Sequence, residues 1–74
     1  MKATLTFNLP EEKEELDDAI NGTKWWCIVW EIDQKMRGIV KYDSVSDETA
    51  VIVDGLRDHL RELTYDKGLI LDRN

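Results

Sequence analysis

One flank of a predicted helix carries the residues whose types could do chemistry. The stretch TKWWCIVWEIDQKMRG, residues 23–38, holds all three tryptophans of the chain. At about 100° per residue, four side chains share one side of this helix: Trp26, Trp30, Asp33 and Arg37. Tryptophan and arginine are enriched at the energetic centres of protein interfaces, so this flank predicts an interface with a second copy or with a partner protein.

Two other interpretations of the same flank remain open. The indole of Trp30 could stack on a nucleotide base while Arg37 binds a phosphate. Alternatively, Trp26 and Trp30 are covered by other elements, and Asp33 and Arg37 form an ordinary i, i+4 ion pair at the surface. The first of these would make the flank a ligand site, and the second would make it structural.

A second candidate is the pair Arg57 and Arg61, four residues apart on a later predicted helix. Asp54 and Asp58 are interleaved with them, which predicts a solvated helix face whose charges neutralise each other. The alternative is an anion-binding pair that the chain contributes to an oligomer interface.

The remaining reactive side chains do not form a catalytic or metal site. His59 has no second histidine near it, and it is predicted to be a half-buried structural residue. Cys27 has no His or Lys at i+3 or i+4 that would activate its thiol. No His/Cys cluster has the spacing of metal ligands. We therefore predict a protein that is not an enzyme and holds no cofactor or metal.

Composition limits the classes of partner. Ten Lys and Arg against sixteen Asp and Glu give a net charge of −6, which argues against nucleic acid, because binding to phosphate backbones rests on basic side chains. No apolar run approaches the roughly 20 residues that span a bilayer, and the N-terminus lacks the apolar stretch of a signal peptide. These features predict a cytoplasmic protein with no membrane partner.

Size predicts self-association. A chain of 74 residues with one cysteine has neither a disulfide nor a metal to reinforce a small hydrophobic core. Association with further copies is the remaining common way to stabilise such a chain.

The N-terminal half is predicted to form a strand followed by helices. Residues 2–9, KATLTFNL, alternate between apolar and polar types, as a half-buried strand does. The proline and acids that follow suit a helix N-terminus, so a helix is predicted over about residues 10–20. The Asn21-Gly22 pair should end it, with a second helix over about residues 23–42. The alternative is a single long helix that is only kinked at this pair.

The C-terminal half is predicted to add a third helix and a second strand. SVSD, residues 44–47, has the spacing of a capping box and should start a helix over about residues 46–67. LILD, residues 69–72, is predicted to be a short strand that pairs with the first. Residues 1–74 then form one α+β domain, mainly helical, with a hairpin of two to three helices and a two-stranded sheet.

Matched apolar stripes are predicted to close the helical hairpin. The stripe on the 23–42 helix consists of Trp25, Val29, Ile32, Met36 and Ile39. The facing seam on the 46–67 helix consists of Val53, Leu56, Leu60 and Leu63. This packing makes Trp25 a core residue. So small a monomer cannot cover both the apolar stripe and the flank of Trp26, so the flank is expected to contact another surface.

One combination of sequence words runs through most of the chain. It comprises TLTFNLPEE near the N-terminus, then Asn-Gly, then Trp30 with Asp33, Arg37 and the VKY of residues 40–42. This combination resembles a family of small uncharacterised proteins encoded by tailed bacteriophages, and the resemblance weakens after Tyr42. It brings no established activity or catalytic residue. It implies an accessory phage protein that works in the host bacterial cytoplasm.

Two functions follow as expectations. The first is a small acidic homo-oligomer that acts through protein–protein interaction with a host or phage protein, for example in counter-defence. The second is an oligomeric sponge that sequesters a small cyclic nucleotide, because a symmetric interface doubles the Trp30 ring and the Arg37 guanidinium. The net charge of −6 opposes the second. We expect the interaction protein and keep the nucleotide sponge as the alternative.

Overall fold

Two antiparallel α-helices joined by a short loop make up the fold. The computed structural model describes residues 1–72. Helix α1 spans Lys13–Tyr42 and helix α2 spans Asp47–Asp66. The helical hairpin is as predicted, and it consists of two helices rather than three.

The α+β prediction with two strands is wrong. Neither residues 2–9 nor residues 69–72 form a strand, and the described part of the chain contains none. A sheet of two short strands is marginal because it yields few ladder hydrogen bonds. The C-terminal segment instead lies against α1, where the carbonyl oxygen of Leu71 accepts a hydrogen bond of 2.9 Å from the indole Nε1 of Trp26.

Helix α1 runs without interruption through the Asn-Gly pair. The two helices predicted over about residues 10–20 and 23–42 are therefore one, beginning at Lys13. Before it, the amide of Glu12 donates to the carbonyl of Asn8 at 2.8 Å, and the Glu12 carboxylate accepts from the amide of Asn8 at 3.2 Å. A glycine inside a helix costs only about 1 kcal/mol relative to alanine, so Gly22 does not suffice to end α1.

Helix α2 has defined signals at both ends. Its N-cap is Ser46, whose hydroxyl accepts a 3.2 Å hydrogen bond from the amide of Thr49, as the capping-box spacing indicates. At the other end Gly68 has a φ of 69°, and the amide of Leu69 donates to the carbonyl of Thr64 at 2.8 Å. This is a Schellman ending, in which a left-handed glycine reverses the chain. The reversal directs residues 69–72 back toward α1.

The hairpin has almost no hydrophobic core of its own. Among the described residues, Leu71 is the only buried hydrophobic one and Asp33 the only buried polar one. The accessible surface is 6571 Å², whereas a compact protein of this mass exposes about 4,700 Å². The radius of gyration is 16.9 Å, compared with about 11 Å for a compact chain of this length. The single chain therefore leaves exposed an area that a compact fold would bury.

Candidate functional site

A charged cluster joins the two helices at the middle of the hairpin. We call it the Asp33 joint, and it consists of Asp33, Arg57, Arg61 and Asp72. The Asp33 side chain is 0% exposed. Its Oδ1 accepts hydrogen bonds from Arg57 Nε at 3.0 Å and from Arg61 Nη1 at 2.9 Å, and its Oδ2 accepts from Arg61 Nη2 at 3.1 Å. Arg57 Nη2 also donates to Oδ2 at 3.4 Å, so each guanidinium binds the carboxylate through two nitrogens, the bidentate arrangement that favours strong ion pairs.

Within the Asp33 joint, the positive charges of the arginines are neutralised by carboxylates of the same chain. Hydrogen bonds from Arg61 outweigh the effect of burial, and together with those from Arg57 they hold the pKa of the Asp33 carboxyl below its ordinary value of 3.8. The same bond to Asp33 raises the pKa of the Arg61 guanidinium. Arg61 Nη2 also lies 3.2 Å from Asp72 Oδ2. Two positive charges are therefore matched by two carboxylates.

Helix geometry explains why these residues meet. Arg57 and Arg61 are one turn apart, so both point to the same side of α2. Asp33 lies nine residues before the end of α1, and Arg57 lies ten residues after the start of α2. In an antiparallel hairpin with a short loop, residues at such equal distances from the loop lie at the same height.

Trp26 packs on the C-terminal segment, and Trp30 stacks on Trp26. The rings of Trp26 and Trp30 are stacked with centroids 6.2 Å apart and planes inclined by 29°, an offset arrangement that aromatic pairs favour. Trp26 is half-buried and bonded to Leu71, while Trp30 is 38% exposed. Beside Trp26 lies a groove of about 560 Å³ between α1 and residues 68–71, and no charged side chain lines it.

The opposite side of the hairpin is an open hydrophobic surface. We call it the apolar face, and its most exposed members are Trp25, Ile28 and Ile32 on α1 with Ile52, Leu56 and Leu63 on α2. Between the helices, this face forms a groove of about 330 Å³ floored by Val29, Met36 and Leu60. The face occupies about 100° of each helix, and no carboxylate falls within that sector along the paired length.

The predicted packing of α1 on α2 is confirmed only in part. Val29, Ile32 and Met36 line one groove with Leu56, Leu60 and Leu63, as predicted, but the groove is open and α1 also turns other residues toward its neighbours. Asp33 and Trp26, predicted on a flank, point toward α2 and the C-terminal segment. The predicted core residue Trp25 is 63% exposed, and Leu56 is 55% exposed. The cause is that a buried carboxylate needs specific donors, which only Arg57 and Arg61 supply. Hydrophobic side chains make no such directional demand.

The structure places the remaining candidate residues differently from their predicted positions. Asp33 does not pair with Arg37, and within residues 1–72 Arg37 forms no salt bridge. Arg57 and Arg61 do not form a self-neutralised solvated face, since both are turned toward α1. His59 is exposed rather than half-buried, with its Nδ1 3.9 Å from Glu62. The distances from the loop were the signal that would have paired Asp33 with Arg57.

Neither a metal site nor a membrane-spanning helix is found among the described residues. Across residues 1–72 there is no group of three or more His, Cys, Asp or Glu side chains placed to hold a metal ion. Neither of the two helices in this range combines the length and the hydrophobicity that a membrane crossing requires.

Comparisons with known proteins complete the description of the site. No protein-family model, no curated protein and no solved structure matches this chain. Functional interpretation therefore starts from the Asp33 joint and the apolar face.

Proposed function

We propose that this chain is a non-enzymatic interaction protein that works as a homo-oligomer. One observation carries the proposal: the hairpin buries a single hydrophobic residue among those described and leaves its apolar face open. Soluble monomers rarely expose contiguous apolar patches larger than a few hundred Å². A surface of this kind on a small protein is typical of an interface.

The biological setting of the proposal comes from the sequence. The resemblance to small tailed-bacteriophage proteins supports a phage accessory role in the host bacterial cytoplasm, with a host or phage protein as the final target, for example in counter-defence. The net charge of −6 supports a target with a basic surface, because complementary charge accelerates encounter and selects among partners. This charge lies outside the apolar face, so it stays available to such a target in the proposed oligomer.

The nucleotide sponge is less well supported by the geometry. Arg57 and Arg61, the secondary anion candidates, are both bound by carboxylates of the chain itself. The groove beside Trp26 offers no charged side chain to a phosphate. Arg37 would have to bind the phosphate of a nucleotide without help from Arg57 and Arg61 or from the groove beside Trp26.

The proposal is tested by the native mass of the protein as a function of concentration. We expect a mass above 8.7 kDa at micromolar concentration and a Tm that rises with concentration, because association stabilises the folded state by mass action. A well-folded species of monomer mass at every concentration would contradict the proposal.

A parallel measurement addresses the alternative. The Tm is recorded with a panel of cyclic nucleotides, since any ligand that binds the folded state must raise it. An increase with one nucleotide would favour the sponge over the interaction protein.

A further inference from the structure

We propose that the apolar face packs against the same face of a second copy, so that two hairpins form a four-helix bundle. The inference rests on the proposed homo-oligomer and adds which surface forms the interface and what covers it. Trp26, Trp30 and the Asp33 joint lie outside the proposed interface in this arrangement.

The first support is architectural. A helix with one apolar stripe must bury that stripe against another layer, and stable domains contain at least two layers. Here α1 and α2 form one layer, because Ile32 on α1 and Leu56 on α2 open toward the same side and border one groove. A second hairpin supplies the missing layer, and four helices around apolar stripes are a common bundle.

The second support is area. The single chain exposes 6571 Å², about 1,800 Å² more than a compact protein of its mass. Permanent homodimers bury about 2,000 to 5,000 Å² in total, or about 1,000 to 2,500 Å² from each partner. Part of the surplus belongs to the N-terminal segment and the first turns of α1, which α2 does not reach. If half of the surplus area lies on the apolar face, it comes to about 900 Å², close to the roughly 1,000 Å² that each partner of a small permanent homodimer buries.

The third support is charge. The chain has a net charge of −6, so two copies repel wherever their carboxylates face each other. The apolar face is the sector of the paired helices without carboxylates. The ionisable side chains nearest to it, among them Lys35, His59 and the Glu62 that pairs with His59, lie at or beyond its margin. Two identical copies can therefore meet through this face without bringing negative charges together. A basic partner protein would find nothing on this face to attract it.

Substitution of Leu56 tests the interface. Leu56 is 55% exposed in the single chain, so Leu56→Asp leaves the contacts within the hairpin largely intact but places a carboxylate in the dimer interface. We expect the dimer dissociation constant to rise at least 100-fold, as for the central residues of interfaces. The matched control is Val51→Asp, which lies on the same helix, is 71% exposed and points away from the apolar face. We expect it to change the dissociation constant less than threefold.

A second variant covers the case in which Leu56→Asp fails to fold. In the double variant Cys27→Ser, Leu56→Cys, the only thiol lies in the proposed interface, whereas the natural Cys27 is exposed outside it. We expect the rate of thiol labelling at position 56 to fall at least tenfold as protein concentration rises through the dissociation constant. Labelling of Cys27 in the unmodified protein should stay constant over the same range.

The outcomes separate the inference from the function on which it rests. If the protein is oligomeric but the thiol at position 56 reacts at one rate throughout, or if Trp30→Ala with Arg37→Ala dissociates it and Leu56→Asp does not, the apolar face is not the interface and homo-oligomerisation stands. If the unmodified protein is a folded monomer at all concentrations, both fail.

Discussion

The hairpin presents two contact regions of opposite character. Inside, α1 meets α2 around the buried Asp33 joint, with hydrogen bonds of 2.9 to 3.1 Å between Asp33 and Arg61. Outside, the apolar face carries Ile32 and Leu56, each more than half exposed. Most small helical proteins place hydrophobic residues between their helices and charges outside.

The two regions contribute differently to the structure. Ion pairs are directional, so the joint determines the height at which α1 and α2 pair. Their net contribution to stability is small, however, because desolvating the charges nearly offsets their attraction. Burial of apolar area is non-directional and supplies the main favourable free energy of folding. The hairpin thus takes its register from the joint, while the exposed apolar face contributes little hydrophobic free energy to the fold of the single chain.

The strongest way to break this comparison is to remove the buried carboxylate. Asp33→Ala leaves Arg57 and Arg61 without their main partner, and breaking a buried ion pair in this way costs about 3 to 5 kcal/mol. We expect a loss of this size in the free energy of unfolding, measured by denaturant titration followed by circular dichroism. The control is Asp17→Ala, which removes the 2.9 Å ion pair with Lys13 at the surface and should cost at most about 1 kcal/mol. Equal losses in the two variants would show that the joint does not hold the hairpin.

Acid should weaken the Asp33 joint by protonating the Asp33 carboxylate, without any substitution. The pKa of Asp33 is lowered in the folded protein from its ordinary value of 3.8, so its stabilising contribution is fully present above that value and disappears as pH falls through the lower folded pKa. The chain has sixteen Asp and Glu, and comparison with Asp33→Asn isolates the contribution of the Asp33 carboxyl. We expect the difference in unfolding free energy between the two proteins to be constant from about pH 7 to pH 5 and to shrink below about pH 4. A difference that persists unchanged at about pH 2 would contradict this assignment.

The smallest expected effect concerns the attachment of the C-terminal segment. Trp26→Phe keeps an aromatic ring but removes the indole N–H that donates to the carbonyl of Leu71 at 2.9 Å. A hydrogen bond of this kind contributes about 1 kcal/mol net, so we expect a loss of that order in unfolding free energy. Trp30→Phe is the matched control, because in the described part of the chain the indole N–H of Trp30 makes no hydrogen bond. A cost as large for Trp30→Phe would mean that ring packing, and not the hydrogen bond, is what matters.

Local signals in the sequence predicted the local structure well. Ser46 caps α2 as its spacing indicates, and Gly68 ends it with a positive φ. The period of the apolar residues also identified the stripes of both helices, since Val29, Leu56 and Leu60 line one groove. Each of these features depends on residues within a few positions of one another.

Sequence reasoning failed where a distant partner decides the outcome. Period-two alternation in residues 2–9 specifies which side chains share a side, but a strand also needs a neighbour with free backbone groups. Asp33 was paired with Arg37 because i, i+4 pairing is the local rule, whereas its real partners lie 24 and 28 residues further along the chain. Periodicity identified the apolar stripe, which borders an open groove beside α2, but it could not show that Asp33 is the side chain buried between the helices.

The scarcity of buried hydrophobic residues also makes folding depend on protein concentration. Leu71 is the one buried apolar side chain among residues 1–72, so a solitary chain has little hydrophobic free energy to keep it folded, and in the proposed dimer a second copy would supply more. For such a protein, the folded fraction grows with its own abundance, because association is concentration-dependent. Chains made in small numbers remain open to proteolysis, while a burst of synthesis accumulates the assembled form. For the proposed dimer, the timing of action would then follow the rate at which the chain is made.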